Sequence, residues 1–228
     1  WEDETPLGES RQLAVKRRLQ MEKRFERETV LKKRYTEFME EYEKLQHMEI
    51  IPIEELKRGG SCYLPHHGVL KEDSVTTKLR VVFDGSALTS TGISLNEKLL
   101  IGPSLQNDIR DLFLRWRGHR ICLVGDIQRM YRQILVRKED TDVQRIVWRR
   151  TPDGPIEDWR LRTVTYGTSS APYLAIKTLR QLANDEREKY PRAAHVLESD
   201  FYTDDLLSGG ETEDEAISLR SELSIIVK

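Results

Sequence analysis

The segment 199–210, "SDFYTDDLLSGG", places two adjacent carboxylates, Asp204 and Asp205, between apolar residues and before a bend rich in Gly and Ser. Neighbouring like charges repel, so this arrangement costs stability unless a cation or solvent offsets it. A solvated turn is the simplest explanation of an isolated Asp pair, because Asp favours turns. The flanking stretches "HVLESDFY" and "LLSGG", however, are apolar-rich like strands and predict a hairpin with the carboxylates at or near its tip.

The composition limits the functions that such a hairpin can serve. The chain has 228 residues, of which 38% are hydrophobic and 33% charged, and its net charge is −2. This length suits one large or two modest domains, and this charge excludes a uniformly basic nucleic-acid binder. Two cysteines, Cys62 and Cys122, provide no disulfide framework and suit a reducing compartment. Because no apolar run approaches the roughly 18 residues of a membrane span, we expect no membrane partner.

The first part of the chain has a helical pattern. Residues 10–48 contain neither Gly nor Pro, and their apolar side chains are spaced for one helix face. The predicted face consists of Leu31, Tyr35, Phe38, Tyr42 and Leu45. Basic residues dominate the beginning of this region and acidic residues its end. A solvated helix face is the favoured explanation of these charges, and a phosphate-contacting surface is the alternative.

The remainder alternates between strand and helix patterns. "HGVL" and "KLRVVFD" predict a hairpin joined by "KEDSVTT", and residues 104–116 predict an amphipathic helix. "RICLVGD" predicts a buried strand, "QRIVWRR" and "DWRLRTV" a second hairpin, and "APYLAIKTLRQLANDERE" a helix. Thr212 and Glu215 predict a capping box before a last helix, whose apolar face is Ala216, Leu219, Leu223 and Ile226. The pattern predicts an α+β fold in which helices cover a sheet.

The strand "RICLVGD" ends on a third carboxylate, Asp126. A carboxylate at the end of a rigid strand projects into the adjoining cleft, where Asp204 could meet it from a neighbouring hairpin. Two or three such carboxylates form a hard oxygen site that suits Mg²⁺. Two ions roughly 3.5 to 4 Å apart can activate an attacking oxygen and stabilise a leaving one in phosphoryl transfer.

Four segments resemble reverse transcriptase motifs, and they occur in the order found in that family. "LVGDIQRMY" resembles the first palm motif, and "FYTDDLLSG" resembles the YxDD motif. "TYGTSSAP", residues 165–172, is similar to the glycine motif that lines the nucleotide pocket, and "KLRVVFDGSA", residues 78–87, resembles the fingers strand that contacts the triphosphate. With "YLPHHGVLKEDSVTTKLRVVFDGSA", "NEKLLIGPSL" and "LGESRQLAVKRRLQMEKRF", nearly the whole chain resembles the Pao/BEL group of long-terminal-repeat retrotransposons.

This resemblance implies the fingers and palm of a right-hand polymerase, with helices covering an antiparallel palm sheet. It assigns a helical N-terminal extension to residues 1–58, fingers to 59–120 and palm to 121–228, with fingers elements interleaved and the sequence stopping before a thumb. The implied activity is RNA-directed DNA polymerase: RNA- and DNA-templated transfer of nucleotides from deoxynucleoside triphosphates to a primer 3′-hydroxyl. Without a thumb, we expect these residues alone to be weakly active or inactive.

The resemblance also implies roles for individual residues. Asp126, Asp204 and Asp205 would be the catalytic carboxylates, and they would bind the metals together with the main-chain carbonyl of Ile127.

Further residues would contact the nucleotide. Lys71 and Arg80 would hold the triphosphate through charge-assisted contacts. Tyr131 would lie under the sugar and exclude a 2′-hydroxyl, Tyr166 would line the pocket, and Gly167 would allow close approach of the backbone. Considered alone, a residue such as Tyr131 is more often a core aromatic, and one such as Arg80 is more often a surface ion-pair partner.

The implied cofactors are two Mg²⁺ ions, with Mn²⁺ as a substitute. The implied partners are an RNA/DNA template-primer, a deoxynucleoside triphosphate and the remainder of a parent polyprotein, in the cytoplasm or within virus-like particles. Two alternatives remain open: an inactive retrotransposon remnant that binds nucleic acid, and a two-metal nuclease that uses the same carboxylates.

Overall fold

The computed structural model describes residues 6–57, 59–70 and 79–227. The helices within these ranges are α1 (Arg11–Arg27), α2 (Thr29–Lys44), α3 (Leu95–Lys98), α4 (Ile109–Trp116), α5 (Ala171–Glu186), α6 (Pro191–Ser199) and α7 (Glu213–Ile226). The strands are β1 (Met48–Ile50), β2 (His66–Leu70), β3 (Leu79–Phe83), β4 (Ile121–Asp126), β5 (Arg145–Trp148), β6 (Glu157–Leu161), β7 (Phe201–Tyr202) and β8 (Asp205–Gly210). Short 3-10 helices occupy Ile53–Glu55, Met130–Gln133 and Lys138–Gln144.

The chain divides into two compact units. The first unit comprises Trp1–Ile101 and Tyr131–Ala171, and the second comprises Gly102–Met130 and Pro172–Lys228. Small antiparallel sheets have the strand orders β1-β6-β5 and β2-β3 in the first unit, and β4-β8-β7 in the second. The predicted α+β class is therefore confirmed. The predicted boundaries at residues 58 and 120 concern polymerase subdomains, which compactness does not test, and they stay predictions.

The predicted helical region 10–48 contains two helices, because the backbone leaves the helical conformation at Glu28 (φ −115°, ψ 75°). The buried face of α2 consists of Leu31, Tyr35, Met39 and Tyr42. Phe38 packs against this core while only partly buried, and the sequence pattern missed Met39. Leu45 was wrongly placed on the face, since α2 ends at Lys44 and Leu45 is 43% exposed.

Both hairpins predicted for the first unit are present. Strands β2 and β3 pair antiparallel from His66↔Phe83 to Leu70↔Leu79, and the predicted link 71–77 lies outside the described residues. Strands β5 and β6 pair antiparallel, and β1 adds to the free side of β6. Side chains from α1, α2 and all five of these strands form one hydrophobic core, so the N-terminal helices and the β2–β3 hairpin share their stabilising contacts.

A buried histidine lies within this core. The His66 ring contacts the Tyr35 hydroxyl through Nδ1 and lies 3.0 Å from the Val147 carbonyl oxygen through Nε2. A neutral imidazole satisfies both contacts, because the hydroxyl donates to Nδ1 and Nε2–H donates to the carbonyl. Burial lowers the pKa of His66 from 6.5 to about 4.

The second unit corrects two predictions. "RICLVGD" does form a strand, but β4 is only partly buried and Val124 is 62% exposed, because the face of the strand that carries Cys122, Val124 and Asp126 is open. "HVLESDFY" was wrongly predicted as a strand. Most of it belongs to α6, which begins with a proline in its first turn and buries Ala193, Ala194, Val196 and Leu197.

Two helix termini in the second unit also differ from prediction. Helix α4 begins only at Ile109, because the Asp108 side chain accepts a hydrogen bond from Arg110 N and caps the helix there. At α7 the Thr212 side chain accepts from Glu215 N, but the Glu215 carboxylate accepts from Glu211 N, so only half of the predicted capping box forms. The predicted buried face of α7 is confirmed. No helix among the described residues has the length and apolar character needed to cross a membrane.

We predict that His66 makes the first unit sensitive to mild acid. Its folded-state pKa lies below the ordinary value, so stability is lost as the pH falls from 6.5 toward about 4. Urea unfolding of the wild type should lose about 2 kcal/mol between pH 7 and pH 5 through this group. His66→Gln should lack this dependence, whereas His67→Gln, on the exposed neighbour, should keep it. Equal pH dependence in wild type and His66→Gln would contradict the assignment.

Candidate functional site

The pairing of β4 with β8 brings carboxylates together. The strands run antiparallel, with Ile121 opposite Gly210 at one end and Asp126 opposite Asp205 at the other. Directly opposed residues of an antiparallel pair project from the same face of the sheet, with Cβ atoms about 5 Å apart. The carboxylate directly across from Asp126 is therefore Asp205, whereas the sequence motif pointed first to Asp204.

Asp204 lies at the tip of the hairpin that joins β7 to β8. The strands pair through Tyr202↔Asp205, so Thr203 and Asp204 form the turn. Ile127 N donates to the Asp204 carbonyl oxygen at 2.9 Å, and this bond ties the tip to the end of β4. The predicted hairpin is confirmed, with Asp204 at its tip and Asp205 next to it at the start of β8.

The turn contains a strained residue. Thr203 has φ 53°, and a positive φ is unusual for a β-branched side chain. The Thr203 hydroxyl lies 2.7 Å from the Tyr202 carbonyl oxygen and 2.9 Å from Asp204 Oδ1. Such strain persists only where surrounding contacts enforce it.

The three carboxylates interact electrostatically. The pKa of Asp126 is raised above 3.8, first by its partial burial and then by the negative charges of Asp204 and Asp205. The ionised form of Asp126 is thus disfavoured by its partial burial and, in addition, by its charged neighbours. A bound cation would offset the repulsion between the carboxylates.

The donor set suits a hard divalent cation. Carboxylate oxygens and a main-chain carbonyl are ligands that Mg²⁺ accepts. The Ile127 carbonyl accepts a hydrogen bond from Met130 N at 3.2 Å and retains a second lone pair. Among the described residues, no three His, Cys, Asp or Glu side chains are gathered closely enough to hold a metal ion.

Of the two predicted triphosphate contacts, the structure describes Arg80, which belongs to the first unit. Arg80 lies on β3 opposite Val69, and its side chain is exposed. Lys71 lies outside the described residues.

Two predicted pocket residues contact each other. The rings of Tyr131 and Tyr166 meet edge to face, with centroids 4.8 Å apart and an interplanar angle of 81°. Tyr131 and the glycine motif are thus packed together within the first unit.

Gly167 is required by the fold itself. Its φ is +99°, and a Cβ at this position would lie 2.0 Å from the carbonyl oxygen of Phe83. This close approach to β3 explains the glycine without any ligand. Its predicted contact with a nucleotide stays a prediction.

Asn96 positions the glycine motif, and the sequence reasoning assigned it no role. Its Nδ2 donates to the Gly167 carbonyl oxygen at 2.9 Å, and its Oδ1 accepts from Ser169 N at 2.8 Å. Nδ2 also lies 2.9 Å from the Ser86 hydroxyl, in the loop after β3. The only sequence signal was the position of Asn96 inside the family-like segment "NEKLLIGPSL".

No protein-family model and no curated protein matches this chain in sequence. The assignment of a function therefore rests on the motifs and on the geometry of the carboxylates.

We predict that Gly167→Ala is far more harmful than a matched substitution at Gly92. Both glycines have positive φ, but a Cβ at Gly92 would meet nothing within 4 Å. Gly92→Ala should cost about 1 kcal/mol of unfolding free energy, the usual penalty of this backbone region. Gly167→Ala should cost at least about 2 kcal/mol more, because its Cβ overlaps Phe83. Urea titration of both variants measures the difference, and equal losses would contradict it.

We also predict that Asp126→Asn stabilises the metal-free protein at neutral pH. A raised folded-state pKa means that the wild type is destabilised once the pH rises through it. The gain should be less than about 1 kcal/mol, because solvent screens exposed charges.

This gain should disappear below pH 3.8, where the wild-type carboxyl is protonated in both states. The measurement is thermal or urea unfolding in EDTA, with Asp214→Asn, on an exposed residue of α7, as the control. If Asp126→Asn has a lower unfolding free energy than the wild type at neutral pH, the raised pKa of Asp126 is contradicted.

Proposed function

We propose that this chain provides the fingers and palm of a reverse transcriptase of the Pao/BEL type, an RNA-directed DNA polymerase. The observation that carries the proposal is the carboxylate arrangement: Asp126 lies across from Asp205, and Asp204 lies at the adjoining tip. The first palm motif and the YxDD motif were identified from the sequence alone. This arrangement of their carboxylates supports that identification.

The second unit would supply the cation site. Asp126 and Asp205, with Asp204 and the Ile127 carbonyl, would hold two Mg²⁺ ions, or Mn²⁺ as a substitute. When bound, the ions would activate the primer 3′-hydroxyl and stabilise the leaving pyrophosphate oxygen. The hydrogen bond from Ile127 N to the Asp204 carbonyl would keep the tip in register with β4.

The first unit would supply the nucleotide contacts. The exposed Arg80, together with Lys71, would contact the triphosphate as charge-assisted donors. Tyr131 would reject a 2′-hydroxyl by its shape, and its packing against Tyr166 would fix its orientation.

Primer extension tests the proposal. A labelled primer on an RNA template is incubated with deoxynucleoside triphosphates and Mg²⁺ at low salt, because binding to phosphates weakens steeply with salt. We expect slow extension by the wild type. Asp126→Asn and Asp205→Asn should each reduce it at least about a hundredfold, because bound metals contribute several kcal/mol to such transition states. Asp214→Asn should retain wild-type extension.

Other outcomes would support the alternatives. Metal-dependent shortening of the primer would favour a two-metal nuclease. Salt-sensitive binding of template-primer without any chemistry, in a protein that binds no Mn²⁺ by electron paramagnetic resonance, would favour the inactive remnant. Normal extension by folded Asp126→Asn would overturn the carboxylate assignment.

A further inference from the structure

In the described part of the chain, the hairpin that carries Asp204 has an edge that no strand covers. Strand β7 has only 2 residues and lies at the end of the order β4-β8-β7. The outward backbone groups of such an edge need partners. Among the described residues, a side chain from the segment before α4 provides them.

Gln106 bonds to the backbone on this open edge. Its Nε2 donates to the Phe201 carbonyl oxygen at 3.1 Å, and its Oε1 accepts from Thr203 N at 3.0 Å. One side-chain amide thereby makes the donor and acceptor contacts that a peptide group of an additional strand would make. These contacts span β7 and end on the strained residue of the turn.

The neighbouring Asn107 holds the segment that leads into β7. Its Nδ2 donates to the carbonyl oxygens of Glu198 and Ser199, at 2.9 and 3.2 Å. Carbonyls at a helix C-terminus lack intrahelical partners, so this side chain caps α6. The two adjacent amides therefore fix the backbone on both sides of Asp200.

The segment that carries these amides is itself anchored. The Arg180 guanidinium, on α5, donates to the Leu105 carbonyl oxygen at 2.6 Å, and Asp108 caps α4 directly afterwards. Gln106 thus lies between two fixed points. A positioning side chain is effective only when its own placement is held in this way.

A short series of hydrogen bonds connects Gln106 to the carboxylates. Gln106 holds Thr203, the next residue is Asp204, and the Asp204 carbonyl accepts from Ile127 N, next to Asp126. A shift of the turn would therefore move Asp204 and Asp205 relative to β4.

We infer that Gln106 is a positioning residue for the carboxylate site, which it serves by holding the β7–β8 turn in its strained conformation. This inference rests on the proposed function, because it takes the carboxylates as the cation site. Partners that orient metal ligands typically change metal affinity by about 10- to 100-fold when they are removed.

The test compares Gln106→Met, which keeps the shape but removes both hydrogen bonds, with Gln181→Met. Gln181 is exposed on α5 and bonds only locally to Asp185, at 2.7 Å. Amide hydrogen exchange at Thr203 and Ile127 should accelerate at least about tenfold in Gln106→Met, because both amides depend on the turn. Gln181→Met should exchange like the wild type. Gln106→Glu, which keeps the acceptor, should retain protection at Thr203.

A second measurement separates positioning from a merely structural role. Mn²⁺ affinity, followed by electron paramagnetic resonance, should fall about tenfold or more in Gln106→Met while its melting temperature stays close to that of the wild type. The extension rate at saturating nucleotide should fall, and the dissociation constant for template-primer should not change.

Each outcome decides between the two proposals. Unchanged exchange in Gln106→Met overturns the role of Gln106, whatever the wild type binds. Faster exchange with wild-type Mn²⁺ affinity shows that the contact only stabilises the fold, which also overturns the inference. Failure of the wild type itself to bind Mn²⁺ overturns the proposed function, and the positioning role with it.

Discussion

The register between β4 and β8 is the constraint on which the candidate site depends. Because side chains alternate between the two faces of a sheet, a slip by one residue would move Asp126 to the opposite face from its present partner. At the end of the pairing far from Asp126, the backbones of β4 and β8 lie very close together. A Cβ on Gly209 would lie 2.3 Å from the Ile121 carbonyl oxygen, so only a glycine fits at this position of the register. The bond from Ile127 N to the Asp204 carbonyl fixes the other end. With both ends held, Asp126 and Asp205 face each other despite their repulsion.

The β7–β8 hairpin has locally unfavourable features, which other contacts in the second unit offset. Thr203 has an unfavourable φ, and partial burial together with the neighbouring charges raises the pKa of Asp126. Near the base of the hairpin, Asp200 accepts hydrogen bonds from Ser208, which is buried in β8, and from Ser199. Neutral hydrogen bonds contribute about 1 kcal/mol each, and bonds to a charged group contribute more. Such contacts can maintain a conformation that the turn would not adopt alone, which is typical of functional sites.

The first unit depends on a buried cation instead. The Arg145 side chain is fully buried, with its guanidinium bonded to Asp142 and to the carbonyl oxygens of Glu55 and Leu56. Removal of one partner from such a buried pair typically costs about 3 to 5 kcal/mol. Arg145 therefore connects the 3-10 segments at Ile53–Glu55 and Lys138–Gln144 to the core strand β5. Nothing in the local pattern indicates this role, because an arginine in "QRIVWRR" has the pattern of a surface residue.

Local periodicity by itself determined much of this protein. The α+β class, the β2–β3 and β5–β6 hairpins, the turn at Asp204 and the buried face of α7 all follow from patterns within a few residues. The same patterns placed Asp126 at the end of a strand, and the order of the motifs suggested which carboxylates belong together.

Contacts between distant segments decided the rest. Packing of Ala193, Ala194, Val196 and Leu197 made α6 a helix although its end has the composition of a strand. Strand register selected Asp205 as the partner of Asp126, and the path of β3 made Gly167 obligatory. Asn96 and Gln106 acquired backbone partners 71 to 97 residues away in sequence. A pattern within one segment specifies which of its residues share a face, but it does not specify which distant backbone lies opposite them, and that is set only when the whole chain packs.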